Sequence, residues 1–298
     1  MIGNDMAINT ASGCTVALGT FDGVHLGHQK VIECALEFGL PVVIVTFKQN
    51  PQTVIKKTEK LQIYSQTIAD EIFAELGAYK VVRLDFEKVM NYSPDEYLDF
   101  IKNEIGAKNI VFGFNFRFGK GAKGNKETAQ DYCARYSLGL TVCDEVCVDG
   151  ETVSSTRIRT AIANGDMELA EKLLGRKYMY DFAVCHGEKR GRTIDIPTAN
   201  QPFEDSFLLP RFGVYASLVT VDKMQYHGIT NIGKRPTFPL ENAISETYID
   251  GFSGDLYGKR VRVALVKFIR EEMKFDSLES LKNQIKIDLE TAKRLSID

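Results

Sequence analysis

The sequence predicts two domains of different class: an α/β domain built on a mostly parallel sheet, then a small, mainly antiparallel β-barrel with a closing helix. Three observations carry this. The chain has 298 residues, and a usual domain takes roughly 100 to 200. From Cys14 to about Cys147, short β-branched runs alternate with amphipathic stretches, whereas beyond Tyr178 the pattern changes to alternating strands separated by Gly, Pro and Asp turns. The last segment places Leu278, Leu281, Ile285, Leu289 and Ala292 on one helical face.

In the first domain the expected strands are CTVALGT ending at Thr20, PVVIVTF ending at Phe47, YKVVRLDF ending at Phe86, NIVFGF ending at Phe114 and LTVCDEV ending at Val146. Their near-continuous apolar character suits strands covered on both faces. Between them Ser93-Pro94-Asp95-Glu96 opens a helix running to Ile105, with Ser93 as N-cap, Pro94 at the first helical position and Glu96 completing a capping box. From Ser154, STRIRTAIANGDMELAEKLLG reads as two short helices punctuated by Gly165 and Gly175. The domain boundary is set near Gly175 to Tyr178, giving domains 1–176 and 177–298. The barrel strands follow as YDFAVCHG, GVYASLVTV, MQYHGITNIG, SETYIDGF and KRVRVALVKFIR, and Asp276 or Ser277 caps the final helix. No internal repeat is visible.

Hydrophobic residues make up 44% and charged residues 26%, which excludes collagen-like, low-complexity and disordered classes. Lys plus Arg number 37 against 40 Asp plus Glu, a formal charge of −3. A protein holding nucleic acid by bulk charge needs a concentrated basic face, so no nucleic-acid partner is expected. The six cysteines, Cys14, Cys34, Cys133, Cys143, Cys147 and Cys185, show no C-x-x-C spacing and read as reduced thiols. No basic leader with an apolar run opens the chain, and no stretch approaches the roughly 20 apolar residues of a membrane span. A cytoplasmic protein without a membrane partner is expected, and its oligomeric state is left open.

Gly19-Thr20-Phe21-Asp22-Gly23-Val24-His25-Leu26-Gly27-His28 follows the first strand and opens the first helix. An α/β sheet binds phosphates there: N–H groups at the helix start point outward, the dipole favours anions, and glycines allow close approach to the backbone. His25 and His28 are three apart, so both rings lie on one side of a helical turn. An isolated H-x-x-H also fits a metal site or a polar helix face, but here it sits in a glycine frame with no Cys or acidic residue completing a metal set.

This stretch resembles the HxGH signature of the nucleotidyltransferase superfamily. Gly113-Phe114-Asn115-Phe116-Arg117-Phe118-Gly119 and Ser154-Ser155-Thr156-Arg157-Ile158-Arg159 are similar to further motifs of the prokaryotic bifunctional riboflavin kinase and FMN adenylyltransferase family, also called FAD synthetases. The resemblance implies a Rossmann-like nucleotidyltransferase domain, in which an FMN phosphate oxygen attacks the α-phosphorus of ATP to give FAD and pyrophosphate. It implies catalytic roles for His25, His28 and Arg159, with Gly19, Thr20, Phe21, Asp22, Asn115 and Ser155 binding nucleotide and flavin. Donors aligned on the phosphorus in flight are what such a reaction requires. For Arg157 and Arg159 the plain alternative is a solvated helix face. Relatives usually carry T-F-x-P-H-P after the second strand; here Thr46-Phe47-Lys48-Gln49-Asn50-Pro51 puts Asn50 in the histidine's place. Asparagine donates a hydrogen bond but carries no proton charge.

The second part holds His186-Gly187-Glu188-Lys189-Arg190-Gly191-Arg192 and then Pro197-Thr198-Ala199-Asn200, on local physics a glycine-bounded basic loop and a short turn. Gly213-Val214-Tyr215, Asn231-Ile232-Gly233-Lys234-Arg235-Pro236-Thr237-Phe238, Glu246-Thr247-Tyr248 and Gly254-Asp255-Leu256-Tyr257-Gly258 follow in the order seen in riboflavin kinases. That resemblance implies a riboflavin kinase-like barrel. Thr198 and Asn200 would hold Mg2+ together with the ATP phosphates, Gly187, Lys189 and Arg192 would bind the cofactor, and Glu246 would take the proton of the ribityl 5'-hydroxyl as it attacks the γ-phosphate. Two positions depart from the family, which carries glycine where this chain has Phe182 and Asp195; if relatives need positive φ there, the local backbone differs.

The leading expectation is a bifunctional enzyme using riboflavin, FMN and ATP with Mg2+. Two alternatives stay open: a variant that keeps one activity, with Asn50 pointing at the transferase or Phe182 and Asp195 at the kinase, and a flavin-sensing regulatory module.

Overall fold

The computed structural model describes residues 13–56, 61–186, 197–234 and 243–295. The chain divides into two compact units, the first made of Met1–Lys60 and Ala69–Ser154, the second of Leu61–Ile68 and Ser155–Asp298.

In the first unit the elements run β1 (Cys14–Leu18), α1 (Leu26–Leu36), β2 (Val42–Phe47), α2 (Pro51–Lys56), α3 (Gln66–Glu75), β3 (Lys80–Leu84), α4 (Phe86–Val89), α5 (Pro94–Asn103), β4 (Ala107–Gly113), α6 (Lys126–Tyr136) and β5 (Gly139–Cys143). The five strands form one parallel sheet in the order β3-β2-β1-β4-β5. Every residue of β1 and nearly all of β2 is buried, as strands covered on both faces require. The α5 capping box forms as the sequence indicates, with Glu96 N–H donating to Ser93 Oγ at 3.2 Å and Ser93 N–H donating to Glu96 Oε2 at 2.7 Å. The strand expected to run to Val146 stops at Cys143, and a short hairpin, β6 (Cys147–Val148) with β7 (Glu151–Thr152), follows. Strand order reverses around β1, with β2 on one side and β4 on the other, so this is the switch point of the sheet.

The second unit takes in Leu61–Ile68, with the first three residues of α3, and continues with α7 (Ser155–Asn164) and α8 (Met167–Leu174), which stops at Gly175 in the left-handed conformation. Then come β8 (Tyr178–Ala183), β9 (Thr198–Pro202), β10 (Gly213–Val221), β11 (Met224–Lys234), β12 (Ala243–Ile249), β13 (Arg260–Arg270) and α9 (Leu278–Leu295). The strands make one antiparallel sheet ordered β8-β13-β10-β11-β12-β9. Thr198–Pro202, read above as a short turn, is therefore an edge strand: antiparallel pairing with β12 overrides the weak local signal of T-A-N-Q-P. The two sheet edges meet where Cys185 N–H donates to the Asn200 carbonyl at 2.8 Å. The fully buried Gln201 reinforces that seam, its Nε2 donating to the carbonyls of Phe182 and Val261, each at 2.7 Å.

Phe182 lies inside extended β8, 2% exposed, and its ring packs on Tyr180, Phe203 and Phe207. It has no positive φ, so its replacement of a glycine imposes no backbone strain here. On the outer sheet face Val214, Ala216, Leu218 and Ile229 receive Leu289, Ala292 and Leu295 of α9. Ser277 rather than Asp276 caps this helix, accepting from Ser280 N–H at 3.1 Å. Leu278, assigned above to the apolar face, is 59% exposed: it lies in the first turn, ahead of the packed Leu289, Ala292 and Leu295.

Candidate active sites

In the first unit, β1 delivers the chain into a tight loop with Phe21, Gly23 and Val24 all at positive φ, at 48°, 83° and 41°. Positive φ at a β-branched residue costs free energy and marks a backbone held by its surroundings. Thr46 Oγ1 donates to the Thr20 carbonyl at 2.9 Å, and Gly19 N–H donates to the Val45 carbonyl at 3.3 Å, so the loop is tied to β2. A Cβ on Gly19 would stand 3.0 Å from the Phe21 ring, which explains the glycine as a close-approach position.

The loop ends at His25, the N-cap residue of α1, which makes no side-chain capping bond. The helix thus begins with outward backbone donors and no competing side chain. The imidazoles of His25 and His28 stack, ring centroids 3.7 Å apart and planes 19° from parallel. Phe21 closes over them at 5.2 Å from His28 and rests edge-on against Phe73. Gly27 makes the stack possible, since a Cβ there would sit 3.2 Å from His25 Cε1. Both Nδ1 atoms are buried and without a hydrogen-bond partner among the described residues.

Burial pushes His25 down to about 4, and it holds His28 well below the ordinary 6.5, with neighbouring His25 adding to the effect. Both rings are neutral at pH 7. Each can donate one hydrogen bond to a phosphoryl oxygen, and an arriving anion would favour protonation of the pair.

Asn115 lies in the exposed turn after β4, where Phe116 N–H donates to the Gly113 carbonyl at 2.9 Å. Because β1 and β4 pair Leu18 with Phe112, the loops bearing His25 and Asn115 leave neighbouring strand ends at the switch point. Asn50 follows β2: its Oδ1 accepts from Gln52 N–H at 3.0 Å at the start of α2, and its Nδ2 donates to Asp22 Oδ2 at 3.4 Å. The substituted position is thus tied to the loop between β1 and α1, a link the motif alone did not reveal. Ser155 and Arg159 belong to α7 in the second unit. Arg159 donates through Nε to the Leu61 carbonyl at 3.1 Å and through Nη1 to the Ser155 carbonyl at 3.2 Å.

In the second unit, β9 and β12 place Asn200 opposite Glu246 and Thr198 opposite Tyr248. Alternation along strands puts Thr198, Asn200 and Glu246 on one face. Asn200 Nδ2 donates to the Thr198 carbonyl at 3.0 Å and to Thr198 Oγ1 at 3.2 Å, which fixes the two side chains together. On the other side of β12, Asn231 of β11 also stands opposite Glu246. A hydroxyl, an amide oxygen and a carboxylate on one face are hard oxygen donors and fit Mg2+ shared with phosphate. Gly187, Lys189, Arg192 and Asp195, and the residues from Arg235 to Phe238, lie outside the described residues. Asn231 was quoted only as part of a motif; its place beside Glu246 comes from strand register, which no local signal carried.

Residues 7–157 match the FAD synthetase family and residues 174–296 the riboflavin kinase family. The bifunctional riboflavin kinase/FMN adenylyltransferase of Bacillus subtilis is 37% identical over 94% of this chain and 91% of its own length. The Escherichia coli K12 protein of the same name is 33% identical over 94% of this chain and 92% of its own. A crystal structure described as a macrolide-efflux protein from Streptococcus pneumoniae superposes with a TM-score of 0.88 at 33% identity, covering 97% of this chain and 96% of that one.

Proposed function

Given that this chain belongs to the bifunctional riboflavin kinase/FMN adenylyltransferase family, we propose how its residues divide the work between two ATP-dependent transfers. Riboflavin plus ATP gives FMN and ADP in the kinase domain, 177–298, and FMN plus ATP gives FAD and pyrophosphate in the adenylyltransferase domain, 1–176.

The observation that carries the reading is the convergence of Thr198, Asn200 and Glu246 on one face of the second sheet. Glu246 accepts the proton of the 5'-hydroxyl while that oxygen bonds to the γ-phosphorus and the bond to ADP breaks. Thr198 and Asn200 would hold Mg2+, which supplies charge neutralisation on the phosphates. Gly187, Lys189 and Arg192 complete this half as cofactor-binding residues.

For adenylyl transfer, the Gly19–Asp22 loop and the start of α1 receive the ATP phosphates, and Asn115 with Ser155 orients nucleotide and flavin. His25, His28 and Arg159 donate to the phosphoryl oxygens as an FMN oxygen bonds to the α-phosphorus and pyrophosphate leaves. Neutral imidazoles held in a stack suit this role because donors fixed before the reaction need no reorganisation during it. No covalent enzyme intermediate is needed.

The efflux activity in the name of the Streptococcus pneumoniae structure stays with that protein; among the described residues no helix is long and apolar enough to cross a membrane. A cytoplasmic location belongs to the proposal, in keeping with six cysteines that form no disulfide. Purified chain incubated with riboflavin, ATP and MgCl2 should accumulate FMN and then FAD, with ADP and pyrophosphate released. Absence of FMN from riboflavin and of FAD from FMN would overturn it.

A further inference from the structure

We propose that Asn231 is a substrate-binding residue of the kinase centre, its side-chain oxygen accepting a hydrogen bond from the polyol hydroxyl next to the one that is phosphorylated. The inference rests on the kinase reading above.

Three observations lead there. Strand β12 runs between β9 and β11, so Glu246 has Asn200 opposite on one side and Asn231 opposite on the other. Directly opposed residues carry their Cβ atoms roughly 4.5–5.5 Å apart, so a hydroxyl chain reaching Glu246 also comes within reach of Asn231. Second, Asn231 Oδ1 is buried and has no hydrogen-bond partner among the described residues, while Nδ2 donates to Glu272 Oε1 at 2.9 Å. A carboxylate only accepts, so Glu272 fixes which end of the amide faces it and leaves the oxygen pointing elsewhere. Third, Gly233 lies two residues along β11 on the same face, and a Cβ there would stand 2.3 Å from Glu272 Oε1. The missing side chain admits the carboxylate that orients the amide.

An orphan buried acceptor is costly, and a donor that arrives with a ligand relieves that cost. Phosphate oxygens cannot donate. Next to the group that removes the terminal hydroxyl's proton, the nearest donor on the substrate is the adjacent hydroxyl of the ribityl chain.

The test compares riboflavin with its 4'-deoxy analogue in wild type and in Asn231→Ala. Wild type should show a KM about tenfold higher for the analogue, and Asn231→Ala should raise KM for riboflavin about tenfold and lose the discrimination. An unchanged kcat at saturating riboflavin, together with an unchanged thermal melt of kinase activity, reports that the kinase domain of the same preparations is folded. If Asn231→Ala does not fold, Glu272→Gln, which frees the amide to turn, takes its place with the same expected loss of discrimination. Equal discrimination by variant and wild type, or an unchanged KM for riboflavin, would overturn the inference. Failure of the kinase reading itself would show differently, as wild type that makes no FMN at all.

Discussion

Asn200 and Glu246 face each other across the β9–β12 ladder, joining a residue of the P-T-A-N segment to the acidic residue of E-T-Y in a single cross-strand pair. The pair exists because T-A-N-Q-P is an edge strand rather than a turn, and because Gln201, the next residue, closes the barrel seam from inside. The proposed base and the proposed oxygen ligands beside it are thereby held on paired strands.

Glu246→Gln keeps the size and the strand but cannot take a proton. FMN formation from riboflavin should fall by about 10²–10⁴-fold, the usual worth of a general base, while FAD formation from FMN persists. Separate chromatographic assays of the two half-reactions check this, and loss of both would point to misfolding.

His28→Ala should have the opposite profile. Removing one donor aimed at the transferring phosphorus should lower FAD formation by about 10²–10³-fold and leave FMN formation intact.

Gly27→Ala probes the stack without replacing either histidine. The new methyl would meet His25 Cε1 at 3.2 Å and Nδ1 at 3.3 Å, so the ring must give by a few tenths of an ångström relative to His28. FAD synthesis should drop at least about tenfold with kinase turnover unchanged, since small displacements of aligned groups are costly in rate.

The buried imidazole pair makes stability of the first unit depend on pH. His25 falls from an ordinary 6.5 to about 4, so unfolded chain binds the proton between those values and folded chain does not. The contribution is fully present above pH 6.5, is lost as pH falls through about 4, and amounts to about 3 kcal/mol for His25. Denaturant titrations at pH 7.5 and 5 should show the loss, and His25→Asn should flatten the difference.

Gln201→Leu removes both donors at the barrel seam and leaves the carbonyls of Phe182 and Val261 without them. A destabilisation of about 2–4 kcal/mol is expected, read as a lower melting temperature for kinase activity, with FAD formation less affected.

Several features were legible along the chain because their causes are local. The apolar runs of β1 and β2, the Ser93–Glu96 capping box, Gly175 ending α8, and the glycine frame around His25 and His28 each act within a few residues. The order of motifs carried the family for the same reason, since spacing survives in one dimension. Strand register does not: T-A-N-Q-P looks like a turn because its pairing partner lies far along the sequence, and Leu278 shares the helical face of Leu289 and Ala292 yet is exposed because periodicity does not say which turns of a face are covered.

The sequence by itself determined the two fold classes and, through the order of its motifs, the family, because these follow from hydrophobic period, turn chemistry and motif spacing. Only the tertiary structure decided that Glu246 stands between Asn200 and Asn231, that Asn50 is tied to Asp22, and that the two imidazoles are neutral. Pairing and burial join groups distant in the chain, and they set both neighbour and charge.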